Sequence, residues 1–171
     1  FPTARSDAAL FSPPAITILG DVISYTVAPL IGEAIGWPLI TKMFAPQPIS
    51  PKFEREFPMP LALRPSQIKA SSQDTSHMIA AAQQLSPRYP TITCPTVIMA
   101  GDADRIINIE RHAQTLHGAI PGSRLDVLLD AGHMIHHVDP ARLVRAIDLI
   151  ATGGITRTSM QAEAATWGTP A

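Results

Sequence analysis

The spacing of hydrophobic and polar positions changes along the chain. In Arg64–Leu85, residues Ile68, Ser72, Thr75, Met78, Ile79, Ala82 and Leu85 recur at helical spacing, and Pro65 suits a first-turn position. Pro87 and Pro90 stop that helix. From Thr96 to Ala100 the pattern becomes a continuous apolar run with β-branched residues, ended by Gly101. Such a run predicts a strand of a parallel sheet with both faces covered. Asn108 then caps a helix predicted over Ile109–Gly118, and Arg124–Leu129 reads as a second strand. Asp139-Pro140 opens a last helix to Ile150, with Leu143, Val144, Ile147 and Ile150 on one face. Gly153-Gly154 ends it, and the small, polar segment Ile155–Ala171 is expected to fray.

The earlier region is richer in proline and in helical patterning. Val22–Thr41 spans 20 residues with a single charge, Glu33, which is long enough to cross a bilayer. Pro29, Pro38, the glycines and the lack of Lys or Arg on the proximal side point instead to two short buried or interfacial helices, broken near Gly36–Pro38. Ser50–Pro60 reads as one short charged helical turn between prolines. The chain thus divides into a mainly helical region, 1–89, an α/β segment, 90–152, and a flexible tail, 153–171. Strand, helix, strand in that order predicts a parallel pair with a right-handed crossover, both carboxyl ends at one sheet edge. Two strands cannot bury a helix layer on each face, so further strands are expected from a partner segment. Phe1 in place of an initiating Met agrees with a piece of a longer protein.

Composition narrows the function classes. The length of 171 residues suits one domain on the usual scale of roughly 100 to 200 residues. A net charge of −1 without a basic run argues against nucleic-acid binding by phosphate neutralisation. With 46% apolar and 16% charged residues, global disorder is not expected. Cys94 is the single cysteine, which rules out an intrachain disulfide framework or a multi-thiolate metal site. A reducing, cytoplasmic setting is compatible with that usage, and the chain does not open with a secretory pattern.

Two loops leave the common strand edge: Gly101-Asp102-Ala103-Asp104-Arg105 and Ala131-Gly132-His133-Met134. An Asp and a His delivered from adjacent strand ends form a carboxylate–imidazole pair. The carboxylate fixes the ring tautomer and stabilises the imidazolium, leaving the far nitrogen to take a proton. His133 is the candidate base; Asp104 is the preferred partner and Asp102 the other choice, with turn-capping open to either. His136 and His137 complete an H-x-x-H-H run, but without clustered cysteines or H-E-x-x-H no metal is expected, nor any cofactor. His77, His112 and His117 read as solvent-facing helix residues. Trp37, Phe44, Phe53 and Met78 suit an apolar pocket or ordinary core packing.

The order strand, G-x-x-D (Gly101 to Asp104), helix, strand, A-G-H (Ala131 to His133), Asp-Pro helix resembles the C-terminal part of an α/β-hydrolase fold. The separation of 29 residues between Asp104 and His133 accommodates one helix and one strand. The resemblance implies Asp104 as triad acid, His133 as base, and a helical lid over roughly Phe11–Leu85. It also implies an upstream nucleophile in a strand-to-helix elbow, and here the chain departs from the family. No G-x-S-x-G, nor its Asp or Cys equivalent, follows any glycine, and no H-G-G-G-like loop occurs. The expectation is therefore a hydrolase of small apolar ester or amide-type substrates when complete. Alone, lacking the N-terminal half of the fold, the chain would be inactive and marginally stable. Asp-nucleophile dehalogenase or epoxide-hydrolase chemistry would use the same pair. A non-catalytic module presenting its apolar helices to a partner or membrane interface is the alternative of a different class.

Overall fold

The computed structural model describes residues 22–154 except residue 24. The expected fraying of Ile155–Ala171 and the start of the expected lid lie outside the described residues. Contacts divide the chain into two units. One holds the described residues up to Thr41 with Ile49–Ser86; the other holds Lys42–Pro48 with the residues from Pro87 onward. Lys42–Pro48 thus belongs with the α/β segment, although it lies inside the stretch read as helical region.

In the first unit, Val22–Thr41 does not break where proline predicted. A single helix, α1 (Val27–Phe44), runs through Pro38. Proline removes one N–H donor from the ladder. The turn is supported on both sides of that gap: Trp37 packs edge-on against Phe57 at 6.3 Å, Ile40 is buried, and Thr41 Oγ1 donates to Trp37 O at 2.9 Å. Among the described residues no helix is long and apolar enough to cross a membrane. The Ser50–Pro60 turn is α2 (Pro51–Glu56), capped by Ser50, whose Oγ accepts from Phe53 N at 3.1 Å. A one-turn helix, α3 (Met59–Ala62), precedes α4 (Pro65–Leu85), which opens on Pro65 as its pattern predicts. Along α4, Ser72 is buried and Ile68, Thr75, Ile79 and Ala82 are half-buried on the same side, while Met78 and Leu85 are exposed.

Among the described residues, the second unit has two parallel strands, β1 (Val97–Gly101) and β2 (Arg124–Leu128), in register from Val97↔Arg124 to Gly101↔Leu128. Their connection begins at Asn108, whose Oδ1 accepts from Arg111 N at 2.8 Å. It winds as a wide π-type turn over Glu110–Gln114 and closes in α5 (Thr115–Ala119), so the expected single helix changes pitch midway. After β2 come the one-turn α6 (Ile135–Val138) and α7 (Pro140–Ala151). Asp139 caps α7 by accepting from Arg142 N at 2.9 Å. Arg142 in turn grips Asp126 of β2, with Nε 3.0 Å from Oδ2 and a second bond to Oδ1.

Coverage of the strands is less complete than the apolar run predicted. Val97–Ala100 are half-buried and only Gly101 of β1 is fully buried. On α7, Val144 and Ile147 are 53% and 57% exposed, although they sit on the predicted apolar face. Among the described residues, the helices therefore leave the two strands only partly covered.

Candidate active site

β1 and β2 end side by side at Gly101 and Leu128, and the loops that follow are stitched together. Asp102 N donates to Leu128 O at 3.1 Å, and Ala103 N donates to Ala131 O at 3.0 Å. Ala131 is fully buried. The glycine before this loop has a steric cause: a Cβ on Gly101 would sit 2.1 Å from Ala131 O. Only a residue without a side chain lets the second loop cross the end of β1.

Asp104 follows in a tight Asx turn. Its Oδ1 accepts from Ile106 N at 2.7 Å and Ile107 N at 2.9 Å. Those two donors fix the carboxylate plane and leave Oδ2 directed to the neighbouring loop. There, His133 Nδ1 lies 2.8 Å away. The Asp104 side chain is 12% exposed and that of His133 34%, so the carboxylate is screened by protein while the imidazole reaches solvent. Among the described residues His133 Nε2 has no hydrogen-bond partner. The ring is therefore oriented through one nitrogen and available through the other.

The structure brings Asp104 and His133 together and leaves Asp102 apart. Asp102 is exposed, and it is Asp104 that bonds the imidazole. His136 and His137 lie exposed on α6, their rings 4.4 Å apart, with His137 tilted against Phe44 at 5.2 Å. Partial desolvation of His137, and then the neighbouring His136, lower its pKa and favour the neutral ring. Among the described residues no group of three or more His, Cys, Asp or Glu could hold a metal ion. His77 is exposed and bonds Gln73 O, as a surface helix residue does. His112 and His117 are half-buried rather than solvent-facing, and His117 Nδ1 pairs with the buried Ser123 Oγ at 2.9 Å. The turn after α5 brings Ser123 back beneath the ring, a contact invisible to helical periodicity.

The four apolar pocket candidates separate. Trp37 and Phe53 both pack on Phe57, Phe44 is buried in the second unit, and Met78 is half exposed. Core packing accounts for the first three. A cavity of about 220 Å³, lined by Val97, Arg124, Asp126 and Arg142 among others, opens toward the amino ends of the strands. The Asp104–His133 pair lies beyond their carboxyl ends.

One contributor was missed by sequence reasoning. Met43 O accepts from His133 N at 3.1 Å, and a Cβ on Gly132 would lie 2.1 Å from Ala45 O. The segment following α1 therefore passes directly against the loop that carries the imidazole. No local pattern links it to a loop some 85 residues downstream.

A family model described as the alpha/beta hydrolase family matches residues 4–146. The chain belongs to that family. Solved structures agree on the fold. A thermophilic esterase from Thermogutta terrifontis, with malate bound, superposes with a TM-score of 0.57 at 20% identity, over 86% of this chain and 50% of the esterase. The enol-lactonase from Burkholderia xenovorans LB400 superposes at 0.53 and 21% identity, over 81% of this chain and 51% of the lactonase. Uncharacterized proteins of Mycobacterium bovis and Mycobacterium tuberculosis are 37% identical over 60 residues, which is 35% of this chain and 17% of each relative. The chain thus spans about half the length of the solved hydrolases it matches. Its parallel strand pair is a part of that α/β-hydrolase fold.

Proposed function

We propose that this α/β-hydrolase chain carries the acid–base half of an ester-cleaving site, with His133 as general base and Asp104 as its orienting carboxylate. The observation that carries this reading is the 2.8 Å contact between His133 Nδ1 and Asp104 Oδ2, with Nε2 unengaged among the described residues. In the proposed cycle, Nε2 takes the proton of a nucleophile as it attacks the substrate carbonyl. Asp104 stabilises the resulting imidazolium, and the same proton passes to the leaving alkoxide. Water then repeats the sequence on the acyl intermediate.

The nucleophile and oxyanion donors are assigned to the remainder of the fold, of which this chain spans about half in its solved relatives. The sequence contains no elbow motif, so His133 and Asp104 alone are proposed to be inactive. Small apolar esters are the proposed substrates, supported by the esterase and enol-lactonase character of the two structural relatives. A serine, cysteine or aspartate nucleophile would each make use of this pair. The test is p-nitrophenyl ester hydrolysis by the chain combined with a segment supplying the first strands and the elbow. His133→Ala should abolish it.

A second reading draws on α1, where Leu30, Ile31, Ile35 and Leu39 are 69%, 51%, 45% and 43% exposed. Such a surface suits an interaction module for an apolar partner or a membrane interface. Co-sedimentation with liposomes in the absence of any hydrolysis, with the fold complete, would favour it.

A further inference from the structure

The aim of His133 depends on the backbone just before it, and that backbone is strained. Asp130 adopts φ 53°, a left-handed conformation that is uncommon for residues other than glycine. Relaxing it would rotate the peptide planes of Ala131 and Gly132 and swing the imidazole off Asp104. A side chain from the segment after α1 opposes that relaxation. Gln47 Nε2 donates to Asp130 O, and Gln47 Oε1 accepts from Gly132 N at 3.4 Å. One primary amide therefore grips a carbonyl and an N–H two residues apart on the same loop. A side-chain amide offers a donor and an acceptor in one plane, and asparagine is shorter by a methylene. The carbonyl of Met43, four residues earlier, takes the N–H of His133 itself.

We infer that Gln47 is a positioning residue for His133, its amide holding the Asp130–Gly132 turn that directs the ring at Asp104. The inference rests on the catalytic reading above for its consequence, and on the two amide bonds for its mechanism. Gln47 acts through the loop and touches no reacting atom.

The test is NMR of the whole chain labelled uniformly with ¹⁵N. The unmodified chain should show His133 as a single neutral tautomer protonated at Nδ1. Gln47→Met keeps the length of the side chain and removes the amide. It should speed exchange of the Gly132 amide about tenfold, as the loss of one hydrogen bond implies, and convert His133 to a mixture of tautomers. Gln47→Glu retains the acceptor, so Gly132 protection should return in large part. A His133 spectrum unchanged in Gln47→Met overturns the inference. Should the variants fail to fold, the Gln47 side-chain NH₂ in the unmodified chain decides: slowed exchange supports the clamp, and a free-amide rate overturns it. His133→Ala separates the two claims. Ester turnover surviving that change, once a segment carrying the nucleophile elbow is supplied, rejects the catalytic reading while leaving the tautomer result standing.

Discussion

Gly132 lies so close beneath Ala45 O that a Cβ there would sit 2.1 Å from the oxygen. The glycine in the A-G-H sequence is thus explained by a passing strand of backbone rather than by a special torsion. Gly132→Ala must push the two segments apart, and His133 N would lose its bond to Met43 O. The expected cost is about 2–3 kcal/mol, in the range of overpacked interiors. Urea unfolding of the variant measures it, and a midpoint equal to that of the unmodified chain would refute the close approach.

The bidentate Asp126–Arg142 pair joins β2 to α7, with side chains 15% and 39% exposed. The hydrogen bond to Asp126 raises the pKa of Arg142, so the guanidinium stays charged. Solvent reaches the guanidinium, which discounts the attraction. A double-mutant cycle over Asp126→Asn and Arg142→Gln should return a coupling of about 0.5–1 kcal/mol that shrinks in 1 M salt. A coupling insensitive to salt would show that packing, not charge, ties the helix down.

Histidine 137 sets a pH dependence of stability. Its folded pKa lies below the ordinary 6.5, first through desolvation and then through His136. Below pH 6.5 the unfolded chain therefore binds this proton before the folded chain does, and stability falls as pH falls through that window. The loss levels off once the folded ring is protonated as well. His137→Gln should flatten this segment of the stability curve, as followed by urea midpoints at a series of pH values. A curve of unchanged slope would remove His137 as the cause.

Much of this arrangement was legible in the residues themselves. The apolar run ending in Gly101, the Asn108 cap and the Asp139-Pro140 start each have a local physical cause, and each element lies where its pattern placed it. Asp104 and His133 were legible because parallel strands deliver their following loops to one edge. The unbroken course of α1 through Pro38 was not, because ring packing and a side-chain bond around the missing N–H offset the local preference. Nor was the role of Lys42–Pro48, whose bonds to residues 130–133 depend on tertiary approach and leave no trace in spacing. The half-covered strands belong to the same class: apolar pattern reports what a face favours, not how much partner surface is present.

The Asp104 carboxylate fixes the imidazole through Nδ1. In the completed fold, Asp104→Asn should lower kcat by about 10⁴ with little change in KM, since an amide nitrogen facing Nδ1 favours the wrong tautomer. Steady-state kinetics on an ester substrate measures this. A loss confined to KM would reassign Asp104 to substrate binding.

The most direct measurement is ester turnover by the chain combined with a segment carrying the nucleophile elbow, compared between the unmodified protein and His133→Ala. Loss of at least about 10⁴ in kcat, with the assembled fold intact by circular dichroism, is the predicted result. Undiminished turnover in His133→Ala would contradict the account.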